Sequence, residues 1–209
     1  MKRRVAYLIA ASLVCLASCD KEKDSSEGSS SEEIVFQART YTFANAKRPY
    51  RRAEINLKDG VTPCLAVYLH GGSSRGDDNN KQIEEPAVQR IAEYVKSKGI
   101  SAIFIVPQCP EADSQGKTMD WVKMGNALEY LIKSERQGVN SKVFLFGGSM
   151  GGTGTWNMLS AYPDLITAAM ACAGKPGEYK FDTEEGWDHE KTCKESYTAS
   201  RLEWVFSHK

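Results

Sequence analysis

The sequence predicts an α/β fold with a mostly parallel sheet and helices on both faces. Two observations carry this. Short apolar runs rich in β-branched and aromatic residues recur between residues 37 and 172, and from residue 64 onward segments of ten or more residues with helical periodicity separate them. Strands that alternate with such helices need long crossovers, and long crossovers produce parallel neighbours with both sheet faces covered.

The elements follow in order. Residues 37–43 and 51–57 read as two strands. Residues 64–69 (CLAVYL) are almost wholly apolar, as in a strand buried on both faces, and 83–98 read as a helix. Residues 101–106 form a β-rich run, 119–134 are amphipathic, 142–146 are a strand and 150–161 a helix. Residues 166–172 give one more apolar strand; 179–181 are strand-like, and 196–206 read as an amphipathic helix.

The first residues have the form of an export signal. Lys2, Arg3 and Arg4 precede an apolar stretch from Val5 to Leu16, too short to cross a hydrocarbon core of about 30 Å. It ends in Leu16-Ala17-Ser18-Cys19, which resembles the lipobox of bacterial lipoproteins, so residues 1–18 are expected to be a lipoprotein signal peptide and Cys19 the acylated membrane anchor. The alternative is an ordinary signal peptide that happens to hold a cysteine. Residues 20–33 (DKEKDSSEGSSSEE) contain no apolar side chain and read, with Cys19, as a flexible tether over residues 19–33. Their acidic, lysine-containing start resembles the surface-export signal of Bacteroidetes lipoproteins. The expected location is thus outside the cytoplasm, membrane-anchored, periplasmic or at the cell surface. Residues 34–209 are of ordinary size for one domain.

Charge excludes some partners. The 27 Lys+Arg balance 27 Asp+Glu, and removing the signal takes three basic residues and no acidic ones, which leaves 24 basic side chains. No basic stripe of the kind nucleic-acid binding requires is present; Lys47-Arg48 and Arg51-Arg52 read as a solvated strand edge. Cys64, Cys109, Cys172 and Cys193 allow up to two disulfides in an oxidising compartment, with three connectivities left open. With no C-x-x-C element and only His70, His189 and His208, a structural zinc site is not expected, and no metal or other cofactor is implied.

The chemistry concentrates at Val143-Phe144-Leu145-Phe146-Gly147-Gly148-Ser149-Met150-Gly151-Gly152, where a strand stops at a serine set between glycines and a helix begins. This is the form of a nucleophile elbow. G-x-S-x-G alone is weak, since Gly72-Ser73-Ser74-Arg75-Gly76 also matches; that segment runs on into turn formers, whereas a helix can follow Ser149 at once. Ser149 is therefore the candidate nucleophile. An oxyanion hole needs two donors: the N–H of Met150 at the helix start, and the N–H of Gly72 in Leu69-His70-Gly71-Gly72, the loop after an earlier strand.

Residues 70–79 (HGGSSRGDDN), Val106-Pro107-Gln108-Cys109-Pro110 and residues 148–156 (GSMGGTGTW) together resemble the α/β-hydrolase superfamily. Within it the sequence is similar to secreted esterases and prolyl-oligopeptidase-like predicted peptidases, among them polyhydroxybutyrate-depolymerase-like and feruloyl-esterase-like enzymes. The resemblance runs from about Tyr41 to Gly174 and implies the α/β-hydrolase fold. It also implies that the loop at Gly186-Trp187-Asp188-His189 carries the base, His189, and that the His70 ring has a structural role. Departure from the family pattern comes next. Between 172 and His189 the acid-bearing strand tip and helix of the family are missing, so the fold is expected to be shortened after residue 174. Residues 174–178 are too few for a parallel crossover to 179–182. Asp188 is adjacent to His189, and Asp182, Glu184 and Glu185 lie in the approach to the loop, so none is assigned as the acid.

The resemblance implies a serine hydrolase that cleaves carboxylic esters, or less readily peptides, through a seryl-acyl intermediate. Substrates would be small-molecule esters or acyl groups on polysaccharides, with activity impaired by loss of the acid. The alternative is a non-catalytic or internally deleted lipoprotein of the same fold that binds glycan or peptide. Oligomeric state is open.

Overall fold

The computed structural model describes residues 33–174 and 186–208. Its centre is a sheet of six strands: β1 (Gln37–Phe43), β2 (Ala46–Ile55), β3 (Cys64–Leu69), β4 (Ala102–Pro107), β5 (Val143–Gly148) and β6 (Ala168–Cys172), in the spatial order β1-β2-β4-β3-β5-β6. β1 pairs antiparallel with β2, and β2 antiparallel with β4; β4, β3, β5 and β6 run parallel. The expected signal peptide and lipid anchor, all of the expected tether 19–33 but its last residue, and the strand-like run 179–181 lie outside the described residues. None of the described helices is long and apolar enough to cross a membrane.

Five helices are described: α1 (Pro86–Ser97), α2 (Gly125–Glu135), α3 (Met150–Ala161), α4 (His189–Glu195) and α5 (Ala199–Ser207). The pleat sorts strand side chains to two faces. Ala66, Tyr68, Phe104 and Phe146 pack with Val88 and Ile91 of α1 and Leu202 and Val205 of α5. Leu65, Val67, Ile105 and Leu145 pack with Leu128 and Leu131 of α2 and Met158 of α3. Helices therefore cover both faces, which is why the central strands have no polar face.

Several boundaries differ from the sequence expectation, and four of the differences have a local reason. β2 begins at Ala46 because Ala44 (φ 48°) and Asn45 (φ 63°) form a two-residue hairpin turn with both φ positive, the geometry whose twist matches paired strands. α1 begins at Pro86 because Glu85, the residue before the proline, is extended (φ −66°, ψ 129°), and proline at the first position gives up only an N–H that has no helical acceptor. α2 begins six residues late because the chain from Met119 to Met124 forms turns that bury Trp121. His189, finally, is not in a loop but opens α4. Asp188 caps that helix, its Oδ1 accepting from the Lys191 N–H at 2.7 Å.

α4 has no buried residue of its own. It is tied down from α1, where the Arg90 guanidinium donates to the Lys194 carbonyl and meets the Glu195 carboxylate at 3.3 Å.

Candidate active site

The site is built where β5 ends. Ser149 has φ 56° and ψ −114°, a conformation that side-chain-bearing residues adopt only when their surroundings force it. The forcing bonds are visible: the Ser149 N–H donates to the Cys172 carbonyl of β6 at 2.8 Å, and the Ser149 carbonyl accepts from the Thr153 N–H at 3.1 Å. The serine is thus lifted out of the strand line at the tip of β5, partly exposed, with α3 beginning at Met150. As a first-turn residue, Met150 has an N–H with no helical acceptor.

Close backbone approach puts α3 against the end of β3. A Cβ on Gly151 would lie 1.8 Å from the Leu69 carbonyl oxygen and 2.9 Å from that of His70. The loop after β3 is thereby held beside the serine, and the Cβ position of Gly71 is 3.8 Å from Ser149 Cβ. Gly72 opens a short 3₁₀ turn, Gly72–Ser74, in which Ser74 N–H bonds to the Gly71 carbonyl and Arg75 N–H to that of Gly72. The Gly72 N–H has no acceptor among the described residues.

His70 holds this loop from behind. Its Nε2 accepts from the Cys109 N–H at 2.9 Å, so Nδ1 carries the proton and bonds the Gly71 carbonyl at 2.6 Å. The ring is fully buried and packs edge-on against Trp121, centroids 4.8 Å apart, while Trp121 Nε1 donates to the His70 carbonyl at 2.8 Å. Burial pushes the imidazole pKa below its ordinary value, which fits a neutral structural histidine. Trp121 can sit there because a Cβ on Gly154 of α3 would come within 2.3 Å of Trp121 Cβ. On the outer side, Gln108 Nε2 donates to the Ser74 carbonyl and Asp78 Oδ1, and its Oε1 accepts from the Asn79 N–H at 2.7 Å.

Sequence reasoning missed Glu85. Its Oε1 accepts from the Gly71 N–H at 2.8 Å and from Ser74 Oγ at 2.7 Å, while Oε2 accepts from Tyr68 Oη at 2.7 Å. One carboxylate thus braces the loop that carries the Gly72 N–H. The only signal was an acidic residue fixed just before a helix proline; its partners are 11 to 17 residues away in sequence and adjacent only in space.

His189 and Ser149 line one cavity of about 450 Å³, together with Tyr68, Gly72, Glu85 and Cys193. No hydrogen bond joins the His189 ring to Ser149; its Nε2 lies 4.0 Å from Cys193 Sγ. Cys193 points inward from α4 to 3.7 Å from the Cβ position of Gly148. Burial, then neighbouring Cys172 and Glu85, push its thiol up to about 11, so it stays protonated near neutrality. Cys64, Cys109, Cys172 and Cys193 are all free thiols. Of the acids considered from sequence, Asp188 spends its carboxylate on the α4 cap, and Asp182, Glu184 and Glu185 lie outside the described residues. No carboxylate accepts from His189 among the described residues.

No family model matches the sequence, and no curated protein matches it significantly. Solved structures do match the fold. A thermostable esterase aligns with TM-score 0.61 at 20% identity, over 82% of this chain and 62% of its own. A mutant of the feruloyl esterase module from Clostridium thermocellum, complexed with sinapinate, aligns with TM-score 0.51 at 14% identity, over 70% of this chain and 56% of its own. The chain therefore spans less than two thirds of the length of these relatives. Sheet order, strand-end serine and these likenesses together show that the chain has the fold of the α/β-hydrolase superfamily.

Proposed function

We propose that this protein is a serine hydrolase of carboxylic esters. The observation that carries the proposal is the forced backbone of Ser149, φ 56° and ψ −114°, at the tip of β5 with the Gly71 Cβ position 3.8 Å from its own Cβ. That conformation has a cost, and it serves to expose the hydroxyl beside two unpaired N–H groups. In the proposed reaction Ser149 Oγ attacks the ester carbonyl carbon as its proton passes to His189. The N–H groups of Gly72 and Met150 hold the oxyanion, the C–O bond to the alcohol breaks, and the alcohol leaves with the proton from His189. Water then cleaves the seryl ester by the same steps, and the acid departs. Amides, with a poorer leaving group, are the secondary substrate class.

His189 is the proposed base because it lines the same cavity as Ser149. Among the described residues no carboxylate orients its ring, and a triad that lacks its acid is slower by about 10⁴-fold in kcat. The export signal and Cys19 motif support a membrane-anchored lipoprotein outside the cytoplasm, and acyl groups on polysaccharides are the proposed natural substrates, by likeness to the feruloyl esterase module. The open Ser149–His189 pair favours one second reading, a hydrolase-fold lipoprotein that binds glycan or peptide without turnover.

Labelling with a fluorophosphonate and hydrolysis of a short-chain aryl ester test the proposal, with Ser149→Ala as control. Labelling and turnover are expected in the wild type and absent in the variant. Equal behaviour of the two proteins refutes a role for Ser149, and labelling-free wild type supports the binding reading.

A further inference from the structure

On the other side of the Gly72-Ser73 loop from Ser149 lies a second groove of about 380 Å³, lined by Gly72, Ser73, Arg75, Glu111, Ala112 and Thr118. Gly72 and Ser73 wall both cavities, so the grooves meet over the residue whose N–H is proposed to hold the oxyanion. Arg75 is the cation of this second groove. Its Nη1 stands 3.5 Å from the Cβ position of Gly72, and no carboxylate pairs with it among the described residues. Its Nε is buried without a hydrogen-bond partner.

Of the acidic neighbours, Glu111 lines the same groove without forming an ion pair with Arg75, and Asp78 is committed elsewhere. Asp78 accepts from the N–H groups of Asn80 and Lys81 and from Gln108 Nε2, and pairs with Lys81 Nζ at 3.4 Å. Cys109 is in reach of the guanidinium, but burial pushes its thiol up to about 12, so it carries no charge near neutrality. A guanidinium left with unused donors in a groove is a fork fitted to a planar anion.

The geometry points to Arg75 as the specificity-determining residue of the Ser149 site, selecting esters that carry a carboxylate on the substituent lying over Ser73. This rests on the serine-hydrolase reading and adds the substrate class to it. With its carbonyl oxygen at the Gly72 N–H, an ester can send only a short chain across Ser73 before meeting Arg75. Glu111, which also lines the groove, is exposed and disfavours a dianion, so a monoanionic carboxylate fits this groove better than a phosphate monoester.

The test uses Ser149→Ala protein, which separates binding from turnover. Calorimetry compares mono-(4-nitrophenyl) glutarate with 4-nitrophenyl pentanoate, whose acyl chains differ by a carboxylate in place of a methyl group. The glutarate ester is expected to bind about tenfold tighter, a charge-assisted hydrogen-bond effect. Raising salt from about 50 to about 500 mM is expected to narrow the preference, and Arg75→Gln to abolish it, with Arg75→Lys retaining part of it. Equal binding of the two esters, or a preference that survives Arg75→Gln, overturns the assignment. If Arg75→Gln does not fold, Arg75→Lys with the salt series decides, and a salt-insensitive preference overturns it. Failure of the serine reading shows separately, as absent fluorophosphonate labelling in the wild type.

Discussion

The Glu85 carboxylate and the Gly71 backbone are joined by a 2.8 Å hydrogen bond that crosses from the start of α1 to the loop after β3. With Ser74 Oγ on the same oxygen and Tyr68 Oη on the other, Glu85 fixes the path of the chain through Gly72.

Removing that charge loosens the loop without touching the serine. Hydrogen bonds to a charged acceptor contribute about 1.5–3 kcal/mol, and an oxyanion donor out of place costs about 10²-fold or more. Glu85→Gln is expected to lower kcat about ten- to a hundredfold on an aryl ester with little change in KM. Fluorophosphonate labelling should slow in parallel. A KM change at constant kcat would contradict the bracing role.

Gly151→Ala places a methyl group where the Leu69 carbonyl oxygen stands, at 1.8 Å. Neither backbone can yield without breaking β3 or α3, so the cost is expected to exceed about 3 kcal/mol in a denaturant titration. Gly125→Ala is the control. There the new Cβ meets only the end of the Asn157 side chain at 3.3 Å, and the change is expected to stay within about 1 kcal/mol.

His70 makes stability fall in mild acid. The free imidazole titrates near 6.5 and the buried ring lower, so below 6.5 the unfolded chain takes up a proton that the folded chain refuses. The contribution is complete above that pH and is lost as pH falls toward the folded value, because protonating Nε2 breaks the bond from the Cys109 N–H. Urea midpoints measured from pH 7.5 to 5 are expected to fall, with a shallower slope in His70→Gln.

Arg90 holds α4, and with it His189, through the Lys194 carbonyl and Glu195. An exposed pair contributes about 0–1 kcal/mol globally, so Arg90→Ala should hardly move the melting temperature. Locally the effect is expected to be larger: faster hydrogen exchange across residues 189–195 and a several-fold lower kcat. Unchanged exchange in α4 would show that the latch is idle.

The strand pattern was legible because strands buried on both faces have no polar alternation to hide them, and β1, β3 and α3 coincide with their sequence expectation. Ser149 was legible because a strand, glycines and a helix start must be contiguous to make the turn. The late starts of α1 and α2 were hidden by apolar residues that continue the helical period while serving other contacts, as Trp121 does against His70. Arg75 left no local signature and Glu85 only its place before Pro86, since their meaning lies in atoms far along the chain.

The sequence alone determined the α/β class, the elbow at Ser149 and the loop at Gly71-Gly72, because each follows from residues adjacent in the chain and from the steric freedom of glycine. Only the tertiary structure decided that His70 is a brace behind the Gly71-Gly72 loop, that Glu85 anchors that loop, that His189 opens a helix and lines one cavity with Ser149 without bonding to it, and that Arg75 has no ion-pair partner among the described residues. Those are outcomes of packing: burial sets which groups lose water, and the sheet order brings loops from separate strands to one edge.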